Sequence, residues 1–225
     1  VIQGVVDIQQ NTSQHTEIFQ QTDKAIIEWQ QFNLSTDDHV DIHQPNAQSV
    51  LLNRIVDSSP SHIFGQISAN GRVILVNPQG ILFGPEARVD VGGLLATTAD
   101  INNQDFWQDH WAFQHTGTAH AQVINQGQIT VAEGGLAALV APSVSNSGVI
   151  QAGLGQITLA ATTQYTLDFY GDEKIQFTVS PEIAQRNISP LVKQSGTLSA
   201  HGGQIFISAD TAMEVVDQVI NLSGV

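Results

Sequence analysis

Apolar positions along the chain fall in short runs of β-branched residues, which Gly, Asn, Ser or Pro cuts before they reach helical length. Such runs occupy residues 2–8, 73–76, 81–83, 89–91, 123–124, 129–131, 149–150, 157–160 and 205–208. They predict strands joined by tight turns, and so an all-β chain. Two segments, 23–31 and 210–218, have apolar spacing that also suits a helix.

The runs repeat. "NQGQITVAEGGLAALVAPSVS" and "NSGVIQAGLGQITLAATTQYT" start 21 residues apart, at Asn125 and Asn146, and each passes from Asn-x-Gly through apolar residues to a second Gly and a second apolar run. Gly71 and Gly92 have the same separation, and a related Ser-Gly block starts at Ser195. Units of this length cannot bury an apolar face alone and must stack on their neighbours. The pattern predicts a parallel β-helix (solenoid) with a Val/Ile/Leu interior, rising about 4.8 Å per coil to a rod of about 40 to 50 Å.

A single domain over 1–225 divides as follows on this reading. Residues 1–34 form an N-terminal cap with Trp29 and Phe32 as its lid, and residues 35–98 form the first coils. An insertion, 99–121, carries Phe106, Trp107, Trp111 and Phe113 in a polar setting and is expected to cover core. Coils resume over 122–164 and again over 192–225. Between them, 165–191 reads as an extra-helical hairpin turning at Gly171-Asp172. The final "NLSGV" stops where a new block should begin, as in a fragment of a longer repetitive chain.

Charge and composition narrow the chemistry. Seven Lys and Arg stand against 21 Asp and Glu, a formal charge of −14, so nucleic acid is a poor partner. With no Cys there is no disulfide, thiolate nucleophile or Cys-based zinc site. No apolar run approaches the length of a membrane-spanning helix. His39 and His43 beside Asp37, Asp38 and Asp41, and the series His110, His115 and His120, invite a metal reading. Strand alternation would place His39, Asp41 and His43 on one side, and a solvated cluster is the expectation. Paired carboxylates for polysaccharide cleavage would come from Asp168 with Asp172 and Glu173, or from Asp105 with Asp109, but Arg54, Arg72, Arg88 and Arg186 are scattered among unrelated blocks and no constellation stands out. No catalytic residue, metal ligand or cofactor is assigned. "GLGQITL" and "GGLLATTAD" read as solenoid corners, without a following helix and phosphate-binding Lys or a calcium-binding Asp pattern.

Residues 49–101, "SVLLNRIVDSSPSHIFGQISANGRVILVNPQGILFGPEARVDVGGLLATTADI", resemble the haemagglutination-activity or TPS domain, the amino-terminal secretion domain of filamentous-haemagglutinin-like exoproteins. The resemblance is carried by Leu52-Asn53-Arg54-Ile55, by Pro60-Ser61 with Ile63 and Gly65, and by Ala69-Asn70-Gly71. It is carried further by Asn77-Pro78-Gln79-Gly80-Ile81 with Phe83-Gly84, by Gly92-Gly93-Leu94, and by the upstream "AIIEWQQFNL". Gln79 replaces the family's usual Asn, and the companion motif Asn-Pro-Asn-Leu is absent, which leaves another branch of the family open.

The resemblance implies a right-handed β-helix with a non-catalytic task. It implies recognition in the periplasm by the POTRA domains of a cognate outer-membrane TpsB-type β-barrel transporter, after signal-peptide removal and without stable membrane insertion. The long passenger then reaches the exterior or surface of a Gram-negative cell, and folding of this domain nucleates the repeats that follow. As adhesin, haemolysin or toxin, the full-length passenger would meet the host ligands. A rival reading makes the segment itself an adhesive module, with Trp107 and Trp111 in an exposed groove. Physically, Asn77, Pro78 and Gly80 suit a turn that fixes the register between two strands. Asn53 and Asn70 are expected to satisfy buried backbone groups at corners.

Overall fold

The computed structural model describes residues 1–167, 175–177, 191–209 and 220–222. Successive coils lay down short strands whose equivalents pair in parallel, which generates three faces. Face one stacks His15–Gln20, His39–His43, Gln66–Ala69, Arg88–Val91, Gln128–Val131, Val149–Ala152 and Thr197–Ser199. Face two stacks Lys24–Trp29, Val50–Ile55, Arg72–Val76, Gly93–Thr97, Leu136–Ala141, Gln156–Ala161 and Gln204–Ala209. Face three stacks Ser61–Ile63, Ile81–Phe83, Gln122–Asn125, Ser143–Asn146, Val192–Gln194 and Ile220–Leu222. The result is a parallel β-helix. Its seven rungs span about 30 Å at the usual inter-strand spacing, less than the repeat alone suggested, because residues 98–121 and, among the later described residues, 162–167 and 175–177 lie outside the stack.

Pattern explains placement. On face one, Val89, Val91, Ile129, Val131 and Ile150 point inward and are buried, while Asp90 and Gln151 point to water. On face two, strands such as "VLLNRI" and "LAALVA" are buried at every position. Alternate residues there enter the interior (Leu51, Val73, Leu75, Leu94) or a second apolar layer outside (Val50, Leu52, Ile74, Val76, Leu95).

That outer layer is roofed by the two excursions. Ala99–Asp100, Ala112–His115, Gln164–Leu167 and Ile175–Phe177 form one antiparallel sheet, with Phe113 stacked on Tyr165 at 5.0 Å. Leu167 faces Ile175 across the two arms of the expected hairpin, whose turn at Gly171-Asp172 lies outside the described residues. A short helix, Asn103–Trp107, also belongs to the roof and is N-capped by the Asn102 side chain. Phe106, Trp111, Phe113, Tyr165 and Leu167 bury against face two, each contributing about 1.5–3 kcal/mol of hydrophobic stabilisation.

Segment 23–31 is not a helix. It supplies the strand Lys24–Trp29, paired along its length with Val50–Ile55, and its contiguous Ala25-Ile26-Ile27 reflects burial on both sides rather than helical periodicity. Segment 210–218 lies outside the described residues. Within 1–34 the parallel stack already begins at His15. Val6–Thr12 runs antiparallel along that first strand, and Gln3 bridges Ile26, so residues 2–12 cover edges that the first rung would otherwise expose. Trp29 and Phe32 meet edge to face at 5.5 Å within this rung.

Two features hold rungs in register. Asn125 donates to Asn146, at 2.8 Å, and Asn146 donates to Gln194, at 2.7 Å, in a buried amide ladder. This explains the recurrent residue two places before a Gly. At the corner between faces one and two, Gly71, Gly92, Gly135, Gly155 and Gly203 stack as a column; a Cβ on Gly155 would lie 2.1 Å from the Gly135 carbonyl oxygen.

The Asn77 corner as candidate functional site

Val76 ends a face-two strand and Ile81 begins a face-three strand, so four residues must turn the chain between them. The Gly80 amide donates to the Asn77 carbonyl at 3.0 Å, closing a β-turn. The Asn77 side-chain oxygen accepts from the Gln79 amide at 2.9 Å and braces it. Among described residues with side chains, positive φ occurs only at Asp109 and Leu154, so Gln79 has the negative φ of a type I turn. That conformation accepts most residues, so Gln in place of Asn leaves the corner intact. Gly80, at φ +122°, has no room for a side chain against the Gln122 carbonyl.

Asn77 is fully buried and joins three rungs. Its side-chain amide donates back to the Ser59 carbonyl, at 3.1 Å, and to the Ser61 hydroxyl, at 3.0 Å. Its backbone amide donates forward to Thr97, at 3.1 Å, the residue from which the first excursion departs. The returning excursion also touches the corner: a Cβ on Gly117 would collide with the Pro78 carbonyl. Beside the turn is a groove of about 250 Å³, bordered by Pro60, His62, Gln79, Leu82, His120 and Ile124.

The remaining motif residues divide between interior and roof. Ile81 and Phe83 point into the core, with Phe83 directly below Asn125 of the ladder. The Phe64 ring occupies the space a Gly84 side chain would need, and Gly71 starts the glycine column. Asn70 binds the Gln44 amide at 2.7 Å and its carbonyl at 2.8 Å, satisfying backbone as expected. Asn53 does not. It lies within a face-two strand, where its side-chain oxygen accepts from the Trp29 indole at 2.9 Å, because strand alternation turns it into the interior below that ring. Arg54 points the other way, where it donates to Asp100 (2.9 Å), Asn103 (2.7 Å) and the Ile101 carbonyl (2.6 Å) of the roof and to Glu28 (3.3 Å) of the neighbouring face-two strand. The sequence hinted at this role only through a lone charge in an apolar run.

On face one, titratable groups pair between adjacent rungs. His39, Asp41 and His43 do share the outer side of face one. His15 meets Asp41 at 2.7 Å, His43 meets Glu17 at 3.2 Å, and the Ser68 hydroxyl donates to Asp41. Partial burial raises the Asp41 carboxyl, but the bonds from Ser68 and His15 outweigh it and hold it below its ordinary value. Among the described residues no three His, Asp or Glu converge as a metal site. Asp109 pairs with Lys24, whereas Asp105 lies 4.0 Å from His110, so the two carboxylates have separate partners. Asp168, Asp172 and Glu173 lie outside the described residues. Trp111 is buried and only Trp107 is exposed, which does not favour an aromatic adhesive groove.

Comparison with known proteins fits this architecture. The HMW1 secretion domain of Haemophilus influenzae superposes with a TM-score of 0.80 at 29% identity, over 92% of this chain and 55% of that one. A heme/hemopexin-binding protein of Haemophilus influenzae is 36% identical over 124 residues, which is 55% of this chain and 13% of the relative. Another, from strain Rd, is 39% identical over 84 residues, covering 37% of this chain and 9% of the relative. The matched part of this chain is thus a small share of the relatives' length. The TPS secretion domain family model matches residues 2–225, and the chain belongs to that family of secretion domains.

Proposed function

We propose that this domain directs a large exoprotein to its cognate outer-membrane β-barrel transporter, with the periplasmic POTRA domains as the recognising surface, and that it then seeds winding of the passenger outside the cell. The observation that carries the reading is the Asn77 corner in a chain of this family. One buried residue, through its side chain and its backbone amide, ties three consecutive rungs and leaves Pro78 and Gln79 half-exposed beside a groove. The turn itself presents amide and aliphatic groups, so the corner's contribution is shape and register. The test is export of the parent exoprotein carrying Asn77→Ala with Pro78→Ala, measured as secreted against cell-retained protein beside a transporter-null control. Export is expected to fall toward that control, and unchanged secretion would overturn a role for the corner. Binding of folded and urea-unfolded domain to the purified periplasmic domains completes the test; preference for the unfolded form supports winding after transit.

A further inference from the structure

The outer side of face two presents Ile26, Val50, Leu52, Ile74, Val76 and Leu95, an apolar strip that a bare solenoid would expose to water. Its cover comes from far along the chain: Phe106, Trp111 and Phe113 after rung four, Tyr165 and Leu167 after rung six. Two cations fasten the cover to the earliest rungs. Arg54 of rung two donates to Asp100, Asn103 and the Ile101 carbonyl of the cover, and also to Glu28 of rung one. Lys24 of rung one donates to Asp109 at 2.5 Å and to the Trp107 carbonyl at 3.1 Å, and lies 5.5 Å from the centre of the Trp111 ring.

We propose that residues 98–121 together with the strands Gln164–Leu167 and Ile175–Phe177 form one cover that closes over face two and reopens as a unit while the solenoid beneath stays wound, with Arg54 and Lys24 as its latches. Four observations support independent movement. The side chains under the cover form a cluster separate from the interior, so opening leaves interior packing intact. Face-two strands complete their ladders with one another, and among the described residues the four strands of the cover pair only among themselves. The cover is internally joined: Ala112–His115 pairs with Gln164–Leu167, and the Leu167 amide donates to the Trp111 carbonyl at 2.9 Å. Both excursions leave the stack from one corner, after Thr97 and after Ala161, which places the hinges together. Because the cover needs residues up to Leu167, the first rungs keep a bare apolar strip until rung six is in place. This inference goes beyond the secretion role and does not depend on it.

The chain has no Cys, so a single introduced thiol reports one site. Leu51 and Leu52 are both fully buried neighbours, the first facing the interior and the second the cover. Thiol labelling of the intact domain in native buffer is expected to modify Leu52→Cys roughly tenfold or more faster than Leu51→Cys. Adding Arg54→Met should accelerate the former by roughly another tenfold and leave the latter little changed, as loss of charge-assisted bonds would produce. Lys24→Met and Asp100→Asn, each checked by circular dichroism, loosen the latches from elsewhere should Arg54→Met fail to fold. Equal labelling at the two positions, or equal acceleration by the latch variants, would mean that the strip is reached only through global unfolding and would overturn the proposal.

Discussion

Faces one and two share one ladder geometry and carry opposite sequences. Arg88–Val91 reads "RVDV" and Arg72–Val76 reads "RVILV", yet both pair in parallel with their neighbours above and below. What differs is the medium outside: water for one, the excursion sheet for the other. Strand composition in this fold therefore reports what covers the strand rather than how it pairs. An unbroken apolar strand in one coil implies that a cover must come from elsewhere in the chain.

The comparison is broken most severely by truncating outward positions on the two faces. Ile74→Ala should cost about 2–5 kcal/mol in urea unfolding, whereas Gln151→Ala, outward on face one, should stay within about 0.5 kcal/mol. Equal losses would show that the cover adds no burial. At the corner joining the faces, Gly155→Ala should cost about 1–3 kcal/mol, since its Cβ would press on the Gly135 carbonyl. An unchanged urea midpoint would mean that the column can open without penalty. The smallest effect belongs to face one. Asp41 is held below its ordinary carboxyl value when folded, so its contribution is present above the unfolded value of about 4 and is lost as pH falls through the lower folded one. The site is about a third exposed, so Asp41→Asn should flatten that acid limb by less than about 0.5 kcal/mol, readable from midpoints between pH 2 and 6.

Much of the solenoid was legible because its repeat is local. Asn125 and Asn146, and Gly71 and Gly92, recur at the coil period and stack upon one another's columns in the structure. The turn at Asn77 was equally legible, since Asn, Pro and Gly each suit one position of a type I turn. Long-range chemistry was not. Nothing near Arg54 in sequence announces Asp100 and Asn103, some fifty residues away, and nothing near Asn53 announces Trp29. Lys24–Trp29 resembled a helix because two-sided burial removes the alternation by which a strand is recognised.

The three corners of the coil differ in their tolerance of extra chain. The corner between faces one and two holds the glycine column, in which from Gly92 onward backbone rests on backbone and the described turns stay within four residues, whereas the corner after face two releases both excursions and readmits the chain in register. Sequence can be added there without displacing a rung. The solenoid thus has one built-in port for elaboration, where a tag or reporter loop could enter and leave the stacking above and below it undisturbed.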